Sequence, residues 1–503
     1  MSLGVLAVGL DGTVLTVALP TLARTLHASE SDLQWFTSGY FLVLAAAMLP
    51  AGLLGDRFGH KKVLAIALGL FGLGSVACAY STSVGEFLAA RVLLGLAGAG
   101  VVVMAISALT VLFGKAERPK AVGIWAAANF LSLPIGPILG GWMLSHFWWG
   151  WVFLINAPVA AIGVVALITL VPESRATQRP GFDAIGVALS VTGLVGLTYG
   201  FIEAGEKGWG DATALLAMLM GVVVLVAFGA WERRLSRRPG GHPLLDLSLF
   251  HSASFTWGVI LAAFAVLAMI GVLFTMPQYF QGVLGADAMG SGVRLLPVIL
   301  GLVLGAVPAE RIVRVAGAKL VAAAGFLLLA GGLLAGSTTG ADSSTVFTAV
   351  WMAVAGMGLG LALSTATSAA LVELSEERSG VGSAVLQAVN KIGGPFGTAI
   401  LGSALSSVYL SRVVLTGLPA TAAAAVRRSV FSGVAVAQQE GSASLLRSVR
   451  GAFTEGIDTA LDVSAGIAIV GLVLTLLFLP RSNAVQDNHP VQRDQGRELA
   501  GVR

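Results

Sequence analysis

Fourteen runs of about 20 apolar residues constrain this chain more than any other feature, because a helix of that length crosses the hydrocarbon core of a bilayer. In hydrocarbon, backbone N–H and C=O groups must be satisfied inside the segment, so each run is expected to be a helix and the chain an all-α membrane protein. The runs are 2–23, 33–54, 63–80, 87–113, 121–144, 149–171, 184–203, 211–231, 255–276, 291–309, 319–337, 345–368, 381–407 and 463–480. Only 11% of residues are charged, whereas soluble domains carry about 25%. The 65 glycines suit helices that approach one another through small side chains. The long polar stretches are 409–462 and the tail 481–503, which leaves no extended soluble domain.

An even number of spans puts both termini on one side, and Lys and Arg decide which. With the N-terminus inside, the inner connections hold sixteen of them, among them Arg57, Lys61, Lys62, Arg233, Arg234 and Arg378, against Arg24 and Lys207 in the short outer ones. That bias predicts cytoplasmic termini. Connection 409–462 carries Arg412, Arg427, Arg428, Arg447 and Arg450 on the other side, but long connections weigh less in the rule. Its segments TAAAAVRRSVFSGVAVAQ and ASLLRSVRGAFTEGIDTAL have helical amphipathic spacing, so it is either a helical hairpin capping the outer mouth or a solvated loop. The N-terminus lacks a cationic region followed by a cleavage site and reads as a retained first helix, short enough ahead of Asp11 to leave an upstream start open.

A faint repeat divides the chain. GLLGDRFGHKK (52–62), after the second span, has a degraded counterpart in PAERIVRVAGAK (308–319), after the tenth. Transporters build a central site between such halves. The expected organisation is a six-helix bundle at 1–171, an inserted pair at 172–231, a basic linker at 232–254 containing part of WERRLSRR, and a second six-helix bundle at 255–480.

Asp11, in LDGTVLTVALP (10–20), is the residue that apolar spans alone do not explain. An acid at the bilayer centre costs roughly 2.5–3.5 kcal/mol or more, so it is retained for a function or for a partner. A carboxylate that alternates between charged and neutral forms is a proton carrier; the alternative is an acid paired to a neighbouring helix for packing. Of the 26 Asp and Glu residues, Asp11 is the one deep inside an expected span, with Glu203 and Glu310 at helix ends. The lone Cys78 rules out a disulfide within the chain, and the six histidines have no metal-like spacing, so neither a metal nor a cofactor is expected. The net charge of +4 reflects topology and does not point to nucleic acid.

Other short stretches follow in order along the spans: LQWFTSGYFLVLAAAMLPAG (33–52), GLLGDRFGHKK, RVLLGLAGAG (91–100), SLPIGPILGG (132–141), FWWGWVFLINAP (147–158), SGVRLLPVILG (291–301) and GVGSAVLQAVNKIGGPFGTAILGS (380–403). With the first-helix stretch, they resemble the fourteen-helix drug:proton antiporters of the major facilitator superfamily from about Leu10 to Pro480, most of all the bacterial multidrug branch, whose members export lipophilic and often cationic compounds. The resemblance implies that Asp11 is the proton site, with Arg91 influencing it; an Arg snorkelling to the outer interface is the alternative. It implies a conformational latch at Gly52, Asp56, Arg57, Gly59 and Lys61. It also implies an antiporter motif at Gly136, Pro137, Gly140 and Gly141, which favours exchange over co-transport.

Departures from the family pattern matter too. Leu94 stands where Gln is frequent, Gly150 where a basic residue often separates the tryptophans, and Asn390-Lys391 where many relatives have Arg first. Spans 10 and 13 have no interior acid, which leaves no strong case for dicationic substrates. Gln34, Tyr40, Gln387 and Asn390 are expected to line a substrate cavity; Lys391 either lines it or neutralises an acid. Met276, Tyr279 and Phe280 are apolar candidates for the same pocket, with helix packing as the alternative.

These readings converge on an exporter of lipophilic drugs in the bacterial cytoplasmic membrane that exchanges them for protons by alternating access. Its partners are the small lipophilic substrate, protons and the bilayer; it is expected to act as a monomer and not as an enzyme. A dedicated exporter of one endogenous metabolite is the second reading, suggested by an Ala-, Gly-, Val- and Arg-rich, Lys-poor composition typical of GC-rich genes.

Overall fold

The computed structural model describes residues 2–112, 132, 135–171, 183–238, 243–244, 247–372 and 376–480, and its regular structure there is entirely helical. The first half comprises α1 (Ser2–Thr25), α2 (Glu30–Phe58), α3 (His60–Ala79), α4 (Val84–Leu112), α5 (helical over 135–146) and α6 (Asn156–Leu170). Next come α7 (Ala184–Lys207) and α8 (Ala212–Ser236). The remainder is α9 (Ala253–Gln278), which runs into a π turn at Tyr279–Val283, then α10 (Leu296–Ala316), α11 (Ala318–Gly336), α12 (Thr345–Val372), α13 (Glu376–Arg412), α14 (Ala420–Arg428), α15 (Val430–Gln439) and α16 (Ala443–Phe478).

Among the described residues, eleven helices are long and apolar enough to cross a membrane. Of the other three expected spans, 33–54 and 381–407 fall within α2 and α13, and 121–144 is described from 135 onward apart from Ser132. The structure therefore supports a multi-pass helical membrane protein without establishing the count of fourteen.

Local chemistry sets the breaks. Ser29 caps α2 by accepting from Asp32 N at 3.2 Å, while Asp32 Oδ2 accepts from Ser29 N at 2.8 Å, a reciprocal capping box. Gly59, with φ of 105°, separates α2 from α3 in a conformation that a side chain would strain. Asp211 accepts from Thr213 N and Ala214 N to start α8, and the Thr213 hydroxyl, followed by these backbone bonds, holds its carboxyl below the usual carboxylate range.

Aliphatic and aromatic side chains fill the interior, and others of both kinds face outward. Phe36, Phe87 and Phe153 stack in the first half, with ring centroids 4.5 and 5.5 Å apart along the series. Phe255, Phe326 and Trp351 anchor the second. Val226, Leu304 and Val307 stand well exposed on the outside, as helices in lipid permit. Helix α7 lies along the seam between α2 and α13, with Trp35 against Tyr199 at 6.5 Å and Phe201 against Phe396 at 6.3 Å; α8 packs on α7.

Segment 409–462 differs from its expected form. It is helical, but α16 begins at Ala443, twenty residues before the expected span at 463, so ASLLRSVRGAFTEGIDTAL is an extension of the last helix. Apolar contacts hold α14 and α15 down: Val426, Val430 and Phe431 are buried, Tyr409 donates to Val426 O at 2.7 Å, and α15 packs on α1, where Arg24 lies over Phe431. The segment is thus helical and packed against α1 and α16.

Candidate functional site

Asp11 and Arg91 meet. Arg91 Nη1 lies 2.5 Å from Asp11 Oδ2, and both side chains are fully buried. The pairing joins α1 to α4, and buried Asn156, from the first turn of α6, donates to Asp11 Oδ1 at 3.5 Å. Arg91 Nε donates to Phe36 O at 3.1 Å, drawing in α2. Arg91 is thus turned into the protein; it does not snorkel. Asn156 stood unremarked inside FWWGWVFLINAP, because a single amide beside a proline carries no pattern that separates a ligand from a helix start.

Tyr40 divides this ion pair from open space. Arg91 Cζ sits 4.2 Å from its ring centroid, and its hydroxyl donates to Val8 O at 3.2 Å. Tyr40 also lines a cavity of about 330 Å³ between residues of the first half and residues of 266–398. Thr13, Thr16, Thr37 and Phe41 contribute from one side; Met269, Phe274, Gln387, Asn390, Lys391 and Thr398 from the other. Neither Asp11 nor Arg91 belongs to the wall. The threonines serve mainly structure: Thr13 donates to Gly9 O at 3.1 Å and to Ser132 O at 3.0 Å, and Thr16 to Thr13 O at 2.7 Å.

Three of the four expected cavity residues, Tyr40, Gln387 and Asn390, line it. Gln34 does not. It lies nearer the start of α2, wedged against Gly402 of α13, where an added Cβ would come 2.6 Å from its side-chain carbonyl carbon. Met276, Tyr279 and Phe280 are also absent from the wall and buried in packing, since α9 has passed the cavity by Phe274.

Contacts between the two sides of the cavity gather at the end that carries the α1–α2 turn. Gln278 Nε2 donates to Glu30 Oε1 at 3.1 Å, Gln281 Nε2 to Val17 O at 3.1 Å, and, closer to the cavity, Ser38 Oγ to Pro395 O at 3.3 Å. Glu30 is buried although it opens α2, because α9 covers it. Sequence position alone hid it, since an acid in the first turn of a helix is ordinarily solvated. Glu232, near the end of α8, is also fully buried.

The motif at 136–141 belongs to this closure. Gly136 lies against Thr13, and a methyl on Gly140 would stand 2.9 Å from Val14 Cγ1, so α5 presses on α1. On the opposite side, a methyl on Gly141 would stand 2.7 Å from Ala288 O, and Pro137 O abuts Gly292 in the short helix Ala288–Arg294 that precedes α10. The motif brings α5 against α1 and the short helix at positions where only hydrogen fits.

At the other end, the latch residues are spread over the α2–α3 corner. Gly59 forms it, with its N donating to Gly55 O at 2.9 Å, whereas Gly52 lies inside α2 facing Val103 of α4. Arg57 is exposed and lies over the Phe58 ring at 5.6 Å. Lys61 Nζ donates to Ile168 O at 2.8 Å, placing a cation at the carbonyl end of α6, where the helix dipole favours one. The Asp56 side chain lies outside the described residues. No group of three or more metal-ligating side chains occurs among the described residues.

Residues 1–398 match the pattern described as Major Facilitator Superfamily. The chain is 32% identical over 488 residues, 95% of its own length and 90% of the relative's, to the tetracenomycin C resistance and export protein of Streptomyces glaucescens. It is 32% identical over 94% of both chains to the multidrug efflux pump LfrA of Mycolicibacterium smegmatis. Its fold resembles a bacterial homologue of the human lysosomal transporter Spinster in an inward-facing, unoccupied conformation, with a TM-score of 0.64, 17% identity and 95% of each chain covered.

Proposed function

The chain belongs to the major facilitator superfamily, and we propose that within it the protein is an antiporter that expels lipophilic drugs or antibiotics across the bacterial cytoplasmic membrane in exchange for protons. The observation that carries this reading is the buried Asp11–Arg91 pair, held one aromatic ring away from an apolar cavity. Arg91 keeps its charge at any working pH, whereas Asp11 can take up a proton. Protonation of Asp11 removes the charge that holds Arg91 against α1, and Arg91 then presses on Tyr40, which forms the cavity wall. Substrate and proton are thereby coupled through one side chain.

With both termini cytoplasmic, the α1–α2 end is the outer face. The bonds from Glu30, Gln281 and Ser38 and the backbone contacts of Gly141 then form the outer gate, closed here, so the cavity communicates inward. Residues 1–171 and 255–480 act as the two moving halves, with 172–231 as an inserted pair. Gly52, Asp56, Arg57, Gly59 and Lys61 form the inner latch that engages when the cavity turns outward. The protein works as a monomer.

The test is gradient-driven transport in liposomes. Asp11→Asn is expected to abolish drug accumulation driven by an imposed pH gradient while leaving the protein monodisperse; gradient-driven transport at the unmodified rate would remove Asp11 from the mechanism. The second reading, a dedicated exporter of one metabolite, draws on the Streptomyces glaucescens relative, named for resistance to and export of a single antibiotic. A susceptibility panel separates them: resistance to one compound supports the dedicated exporter, and resistance to many supports the multidrug pump.

A further inference from the structure

The cavity wall has a charge that the proton site does not account for. Lys391 is the one charged side chain among the described residues that line it. Its ammonium sits 5.9 Å from the Phe41 ring centroid, a cation–π contact that offsets only part of the cost of leaving water. Among the described residues no carboxylate shares the wall. Asp11 lies behind Tyr40 with its charge already taken by Arg91. The acids at the start of the same helix, Glu376 and Glu377, are at least fourteen residues away, about 21 Å along the helix by rise alone.

The other described residues of the wall are neutral. Asn390 Oδ1 and Thr398 Oγ1 are buried there without a hydrogen-bond partner among the described residues. Tyr40, Phe41 and Phe274 supply flat apolar surface, and about 330 Å³ matches the lower range of small-molecule sites. An uncompensated ammonium in an apolar chamber repels lipophilic cations and rewards a ligand that brings the missing countercharge.

From this arrangement we propose that the cavity selects lipophilic organic anions, flat aromatic bodies bearing one phenolate, carboxylate or sulfonate, and that Lys391 is the residue that binds the anionic group. Asn390 and Thr398 then hydrogen-bond the polar rim of the ligand, and the aromatic side chains take its faces. The inference rests on the reading of this cavity as the substrate site.

Equilibrium binding in nanodiscs, without any gradient, tests it with three probes of one shape: an anthraquinone carrying a sulfonate, a neutral hydroxymethyl or a trimethylammoniomethyl group. The expected result is at least tenfold tighter binding of the sulfonate than of the trimethylammonium probe. Lys391→Met is expected to weaken the sulfonate at least tenfold and leave the neutral probe within twofold. Lys391→Arg should keep the anion preference, and Lys391→Glu should invert it. Equal binding of the sulfonate and trimethylammonium probes by the unmodified protein overturns the proposal, and that comparison needs no variant to fold. An anion preference that persists in Lys391→Met also overturns it. Because no gradient is applied, the two readings fail separately: charge-blind binding with intact proton-driven efflux sinks only the anion selectivity, and anion-selective binding without efflux sinks only the antiport.

Discussion

The Asp11–Arg91 pair predicts an asymmetric and strongly non-additive stability cycle. Both side chains are excluded from solvent and meet at 2.5 Å, so neither charge has water to fall back on. Breaking a buried pair by removing one partner costs about 3–5 kcal/mol. Asp11→Asn belongs in that range, because Arg91 cannot shed its charge and keeps only the neutral amide and Phe36 O as acceptors. Arg91→Met should cost less, about 1–3 kcal/mol, since the orphaned carboxyl can take up a proton and retain the amide of Asn156. The double variant leaves no charge behind, so its loss should be about 2–3 kcal/mol smaller than the sum of the single losses, within the range of directly coupled residues. Reversible unfolding in mixed detergent micelles measures all four corners. Additivity within about 0.5 kcal/mol would show that the two charges do not depend on one another, and the coupling mechanism would go with it.

The outer closure gives two further predictions. Cysteines replacing Glu30 and Gln278, whose long side chains meet tip to tip at 3.1 Å, should be bridged by a short bis-methanethiosulfonate reagent and stop transport until reduced, with the buried Cys78 as a silent background; full transport by the cross-linked protein would refute the gate. Gly141→Ala puts a methyl 2.7 Å from Ala288 O and should cost about 1–3 kcal/mol by overpacking. It should also speed maleimide labelling of a cysteine placed at Gln281, and an unchanged rate would detach the motif from the gate.

Fold class was legible because a bilayer leaves few options. Apolar runs of spanning length must be helices, and the placement of Arg and Lys predicts which ends lie inside. The boundaries were less legible. Helix α16 continues twenty residues beyond its apolar run because its first turns are buried against other helices and not in lipid, so Leu445, Val449 and Phe453 face protein while Arg447 stays exposed. Hydropathy cannot tell burial against lipid from burial against protein.

Asp11 was legible at once, since a charge in hydrocarbon demands a reason. Its role needed Arg91, eighty residues away, and Asn156 from a third helix. Gln34 and Tyr40 illustrate the limit most clearly. They sit less than two turns apart on α2, and both are expected to line the cavity, yet Tyr40 reaches it and Gln34 is wedged against Gly402. Glu30 looked like a solvated helix-start acid and is covered by α9. One-dimensional pattern specifies which residues cannot face lipid and therefore must find a partner. Which partner they find depends on how helices from the two halves cross, and that long-range packing, set by contacts such as Gly141 on Ala288 and α7 in the α2–α13 seam, exists only in the folded molecule.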